Sequence, residues 1–272
     1  MTSEGQQRSE TADRESDRPV RLELLTIPGL PEIEPGADLA VVMMNSLNAA
    51  GLALTDGDII AVAHKIVSKA EGRLVFLDDV TPGQEAMALA RETDKDPRLV
   101  ELILQESKAV SRVGHGVLIT RHRLGFTSAN SGIDRSNVPQ SKTGESVLLL
   151  PEDPDRSAAA LRQALEQTSG ARLGVVIVDS HGRPFRLGTV GVAIGVAGLP
   201  ALWDRRGERD RYGYTLQHTE VGTADEIAAA ASLLMGQADE STPVVLLRGL
   251  RLPEGDGRAA DLVRPKELDL YR

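Results

Sequence analysis

The chain contains no cysteine, which removes disulfides, thiolate nucleophiles and cysteine-ligated zinc or iron–sulfur centres and leaves the compartment open. Aromatic residues make up only 3% against 41% hydrophobic residues overall. The core must therefore be packed from Leu, Val, Ile and Ala, and broad stacking platforms for single-stranded nucleic acid are not expected. No apolar run approaches the roughly eighteen residues that a membrane span needs. Lys and Arg number 31 against 40 Asp and Glu, a net charge of -9, which disfavours general polyanion binding but allows a local basic pocket for one phosphorylated ligand. Nucleic acid and membrane are thus not expected partners, and the protein reads as soluble and cytoplasmic. Familiar nucleotide and hydrolase fingerprints are missing as well: there is no G-x-x-x-x-G-K-[ST], no G-x-S-x-G and no H-E-x-x-H, and Gly188, Gly191, Gly195 and Gly198 do not fit G-x-G-x-x-G.

What is present suits one composite α/β unit with α+β character over residues 20–272, preceded by a polar, charged tail at 1–19. Asp38 and Asp153 read as N-caps of helices closed by Gly51 and Gly170. Thr81-Pro82-Gly83-Gln84 and Thr223-Ala224-Asp225-Glu226 read as capping boxes. Asp58 to Val67 reads as a buried strand, broken awkwardly by His64-Lys65, and Val110 to Thr120 as a hairpin around Gly114-His115-Gly116. Leu173 to Val178 is another buried strand, with Asp179-Ser180 at its carboxyl end, where α/β sheets hold ligands. The glycines of Gly188 to Gly198 suggest a strand pressed against another backbone, which would suit packing on a partner copy.

Three polar segments stand out: Gly132 to Val138, Val178 to Arg183 and Met235 to Glu240. They offer hard oxygen ligands, Asp134, Asp179 and Gln237, of the kind Mg²⁺ and Mn²⁺ prefer when holding a nucleotide's phosphates. Taken singly, Asp134 also reads as an Asx-turn residue and Asp179 as a strand-end helix cap, while Gln237 on local grounds reads first as a solvated residue past a helix end. Lys69 follows a buried strand and precedes Gly72, as phosphate-gripping lysines do, though a surface lysine is the commoner fate. His64, His115, His122, His181 and His218 are scattered, and on local grounds they read as structural or peripheral.

Taken together, Ile27-Pro28-Gly29-Leu30-Pro31-Glu32, Val67-Ser68-Lys69-Ala70-Glu71-Gly72-Arg73, Gly132-Ile133-Asp134 with Asn137, Asp179 followed by a hydroxyl residue, and Met235-Gly236-Gln237 resemble the coenzyme F420-0:L-glutamate ligase family. The likeness runs from about Leu22 to the tail containing Arg264-Pro265 and Asp269-Leu270-Tyr271-Arg272. It implies an unusual mixed-sheet ligase fold, an intertwined homodimer, and GTP-dependent addition of one or more L-glutamates to coenzyme F420-0 through an acyl phosphate. It also implies two Mg²⁺ or Mn²⁺ ions per site, with K⁺ as an optional further ion. Asp134, Asp179, Ser180 and Gln237 would be metal ligands, and Lys69, Asp134 and Asp179 the catalytic set. GTP would be lined by Leu30, Pro31, Glu32, Ile33, His64, Lys65, Lys69 and Asn137, with Met235, Gly236, Gln237, Ala238, Asp239, Glu240, Ser241 and Thr242 closing over it. Two positions depart from the family pattern: Ser180 stands where threonine is usual, and His64 where a small hydroxyl residue is common. The flavin-binding nitroreductase-like domain of some relatives is not expected at the carboxyl end. A metal-dependent phosphohydrolase or kinase, or a nucleotide-binding regulator, would use the same ligands without glutamate-dependent GTP turnover.

Overall fold

The computed structural model describes residues 21–139 and 145–269. The expected tail at 1–19, part of the loop after Asp134 and the terminal Leu270-Tyr271-Arg272 lie outside the described residues. From the amino end come β1 (Glu23–Thr26), α1 (Leu39–Ala49), β2 (Ile59–Ala63) and α2 (His64–Ala70). Asp38 caps α1 as its sequence suggests, its carboxylate accepting the Val41 amide at 3.1 Å. The His64-Lys65 conflict resolves into a change of element, because the β-branched run stops at Ala63 and the polar pair opens a helix.

A smaller module follows, made of β3 (Leu74–Phe76), α3 (Gln84–Thr93), α4 (Pro97–Gln105), β4 (Ser107–Gly114), β5 (Val117–His122), β6 (Thr127–Ala129) and β7 (Ser146–Leu148). The first capping box does not form. Gly83 is the N-cap and its amide is taken by Glu101 Oε2 at 2.8 Å, a contact from α4 that local sequence cannot reveal. Leu99, Ile103, Leu118 and Val147 pack this module's own core.

The chain then returns to the main sheet through α5 (Pro154–Ser169), β8 (Gly174–Arg183), β9 (Arg186–Ala197), the short pair β10 (Trp203–Asp204) and β11 (Glu220–Val221), α6 (Thr223–Met235) and β12 (Val244–Arg248). Sheet order is β1-β12-β2-β8-β9, with β2 and β8 parallel and every other neighbour antiparallel. This is the mixed α/β architecture expected. Side chains alternate across the sheet: Ile60, Val62, Val175 and Ile177 meet Met43 and Leu47 of α1 and Leu161 and Leu165 of α5. Ile59, Ala61, Val176 and Val178 meet Ala224, Ile227 and Ala231 of α6. The core is aliphatic, and the most exposed phenylalanine, Phe185, stands 94% exposed at the β8–β9 hairpin.

Two expectations need correction. The second capping box is also absent, since Gly222 is the N-cap of α6 and Asp225 instead accepts the Ala193 amide of β9 at 2.9 Å. The glycines of β9 are close to backbone, but of their own chain: a Cβ on Gly191 would lie 2.3 Å from Ala228 O of α6, and one on Gly195 2.4 Å from Pro154 O of α5. Their composition is explained by the helices on either face and carries no argument for a second copy. Gly195→Ala should cost on the order of 1–3 kcal/mol by overpacking. Gly182→Ala, where the added methyl meets nothing within 4 Å, should stay within about 0.5 kcal/mol. Equal urea midpoints for the two variants would refute this packing account.

The join between module and sheet is a charged cluster. Glu106 accepts Arg73 Nη2 at 2.9 Å and Arg123 Nε at 3.0 Å, while Arg73 Nε donates to Leu150 O at 2.9 Å. Burial alone would raise the Glu106 carboxyl. The adjoining His122 and Arg123 side chains and the charge of Arg73 outweigh it and bring the value to about 2 from an ordinary 4.5. A depressed carboxyl stabilises the fold above its unfolded value and loses that contribution as pH falls toward the folded one. The gap in melting temperature between wild type and Glu106→Gln should therefore be full at pH 7 and close as pH drops from about 4.5 toward 2. A gap independent of pH would contradict the assignment.

Candidate active site

Asp179 is not at the end of its strand. β8 continues to Arg183 because β9 pairs with it antiparallel beyond that point, whereas the parallel partner β2 pairs only as far as Ala63 opposite Val178. Asp179 therefore sits where the parallel ladder stops and α2 turns away, which opens space above the sheet. Gly132 brings the opposing loop over it. Its φ is +64°, and a Cβ there would approach Leu150 Cδ1 to 2.9 Å and Asp179 Oδ2 to 3.4 Å, so a side chain would push the Asp134 segment off the sheet.

These elements converge on His64. Its Nε2 lies 2.8 Å from Asp134 Oδ2 and 3.3 Å from Asp179 Oδ1, and single ligand atoms of the three residues all fall within 4.8 Å of one another. Lys65 Nζ reaches the same Asp134 oxygen at 2.6 Å and Ser136 O and Oγ at 3.2 Å each. Asp179 accepts the Ser180 amide at 2.7 Å on Oδ1 and His181 Nε2 at 2.8 Å on Oδ2. Burial would raise both carboxyls. His64 and Lys65 overcome it at Asp134, and His64, His181 and the Ser180 amide hold Asp179 far below the usual carboxylate range. Both are ionised at neutral pH. The donor set of two carboxylates and an imidazole suits a divalent cation.

The cluster floors a cleft of about 540 Å³, and every site residue named from the sequence lines it. Leu30, Pro31, Glu32 and Ile33 form one wall; Lys69 Nζ crosses from α2 to pair with Glu32 Oε1 at 2.5 Å. Ser180 and Gln237 line the cleft and are exposed. The segment from Met235 to Thr242 also lines the cleft; its Ala238 carbonyl accepts Asn137 Nδ2 at 2.7 Å and its Ala238 amide donates to Glu240 Oε2 at 2.8 Å. His64 and His181, which on local grounds read as structural or peripheral, both touch the carboxylates. His181 had a legible signal, since it lies two residues from Asp179 on one strand and so on the same face. Ser136 was given no role from sequence, and a short polar residue in a loop carries no local sign that it will hold Lys65.

The F420-0:gamma-glutamyl ligase family model matches residues 29–249. The chain is 49% identical over 255 residues to the coenzyme F420:L-glutamate ligase of Methanothermobacter thermautotrophicus, covering 92% of this chain and 99% of that protein. It is 48% identical over 219 residues to the enzyme of the same description from Methanocaldococcus jannaschii, covering 80% and 86%. To that of Methanopyrus kandleri it is 46% identical over 255 residues, covering 92% and 98%. Among the described residues no helix is long and apolar enough to cross a membrane.

Proposed function

The chain belongs to the F420-0:gamma-glutamyl ligase family, and from that premise we propose that it joins L-glutamate to coenzyme F420-0 at the expense of GTP, through an acyl phosphate. It is a ligase of coenzyme F420 biosynthesis. The observation that carries the finer reading is the pair of ionised carboxylates, Asp134 and Asp179, set in one cleft with Lys65 and Lys69.

A carboxylate does not accept an amine at neutral pH, because an oxide is too poor a leaving group. In the proposed sequence the acceptor's carboxylate oxygen attacks the γ-phosphorus of GTP, a new O–P bond forms, and GDP departs with the bridging oxygen. The glutamate nitrogen then attacks the acyl carbon; the C–N bond forms, the C–O bond breaks, phosphate leaves and the surplus amine proton passes to solvent. Asp134 and Asp179, with Ser180 and Gln237 beside them, would hold divalent cations, which when bound neutralise charge on the transferring phosphoryl group. Lys69 leaves Glu32 to grip a phosphate, and Lys65 remains anchored by Ser136. The segment from Met235 to Thr242, tied to Asn137, keeps water from the acyl phosphate, whose hydrolysis would waste GTP.

Pairing of two copies is part of this reading. At the β8–β9 tip Phe185 and Leu187 stand 94% and 99% exposed, clear of their own chain, and burying such side chains is worth roughly 1.5–3 kcal/mol each. Light scattering at micromolar concentration should give twice the monomer mass.

The ligase reading is tested by mass spectrometry of the deazaflavin precursor incubated with the protein, GTP, Mn²⁺ and L-glutamate. The expected product carries one or more glutamyl units, with GDP accumulating beyond a single turnover only when both acceptor and glutamate are present. GTP turnover without glutamate, leaving the precursor unchanged, would point to a hydrolase or kinase instead.

A further inference from the structure

His64 is spaced from its two neighbours as one ligand of a metal ion is spaced from the next. Ligands at right angles on a small divalent ion, each about 2.1–2.2 Å from it, lie about 3 Å apart. His64 Nε2 stands 2.8 Å from Asp134 Oδ2 and 3.3 Å from Asp179 Oδ1, with its side chain only 3% exposed. Its other ring nitrogen faces Ser68 Oγ at 3.4 Å on the next turn of the helix. In the tautomer protonated on Nδ1, that proton points at the hydroxyl and Nε2 turns its lone pair to the carboxylates, the kind of outer contact that holds a ligating histidine once a cation is bound. Lys65, which shares Asp134 Oδ2, has Ser136 O and Oγ within 3.2 Å to retain it when a cation takes that oxygen.

We propose that His64 is a nitrogen ligand to the divalent cation held by Asp134 and Asp179, and that this donor makes the site prefer Mn²⁺ to Mg²⁺. Oxygen-only sites suit Mg²⁺, whereas an imidazole moves preference toward transition ions. The proposal rests on the ligase reading only in taking a cation to bind here.

The test needs no substrate. Mn²⁺ alone is added to the full chain and examined by pulsed electron paramagnetic resonance, with His64→Gln and His181→Gln as variants and thermal melting as the control for folding. Nuclear modulation from a directly bound imidazole nitrogen is expected in wild type and in His181→Gln, and its loss in His64→Gln. The ratio of Mn²⁺ to Mg²⁺ affinity, read by competition, should fall by about tenfold or more in His64→Gln. A wild-type spectrum without nitrogen coupling overturns the proposal, as does coupling that vanishes in His181→Gln and persists in His64→Gln. If His64→Gln does not fold, the wild-type and His181→Gln spectra decide the matter. Nitrogen coupling in a protein that fails to ligate would preserve this metal site and remove the ligase reading. Ligation without the coupling would do the reverse.

Discussion

Asp179→Asn should abolish most ligation, by about two orders of magnitude or more, the scale of losing one electrostatic contact to a transferring group. The substitution keeps size and an acceptor for the Ser180 amide, which Asp179 Oδ1 now binds at 2.7 Å. It removes the charge on which His64 at 3.3 Å and His181 at 2.8 Å converge. Because those neighbours hold the native carboxyl far below its ordinary value against the cost of burial, the charge present at neutral pH is what a hard cation would meet. The sheet does not depend on that charge, since the ladder around Asp179 is made by backbone pairing with Val192. The fold should therefore survive, melting below wild type because a carboxyl held this far below its ordinary value contributes stability at neutral pH, and excess Mn²⁺ should restore part of the rate, because the defect lies partly in cation occupancy. A folded variant that still joins glutamate at a near-normal rate would mean Asp179 holds no metal.

The elements that sequence foretold are those whose ends are decided locally. Asp153 caps α5 by accepting the Arg156 amide at 3.1 Å, and Gly170 closes it at φ 75°, both within reach of neighbouring residues. The hairpin at Gly114 to Gly116 is likewise local. Where sequence misled, a distant group had taken over the local one: Glu101 captures the Gly83 amide, and Asp225 turns away from its own helix to β9. The length of β8 was hidden for the same reason, since it depends on how far β9 pairs. Short strands such as Leu74–Phe76, held by Ser146–Leu148 across the module, carry too few residues to show a period.

The site was legible as a set of motifs and illegible as a geometry. Asp134 and Asp179 could be named because, with Gln237, they recur as hard oxygen donors in polar segments that together match one family's motifs, although each alone also reads as a turn or cap residue. His64, 70 positions from Asp134 along the chain, carries no local sign that it will stand between them. Only the switch from β2 to α2 at Ala63 and the glycine that lets the Asp134 loop descend bring the three together. A residue's chemistry is written in its type, but its neighbours are set by where strands stop pairing.

Lys69→Ala should weaken GTP binding by about 10- to 150-fold, since a charge-assisted contact to a phosphate is worth roughly 1.5–3 kcal/mol. The Lys69 side chain is 13% exposed and already reaches a carboxylate, Glu32 Oε1 at 2.5 Å, so a phosphate must compete with Glu32 for it. That competition fixes the signs of two further variants. Glu32→Gln releases Lys69 and should tighten GTP binding, whereas in Lys69→Ala the abandoned Glu32 carboxylate adds repulsion to the lost contact. The double variant should therefore bind better than Lys69→Ala alone, and the cycle separates the phosphate contact from the Glu32 contribution. Calorimetric titration with GTP measures all four proteins. An unchanged dissociation constant in Lys69→Ala would make Lys69 no more than the surface partner of Glu32 and remove it from the nucleotide site.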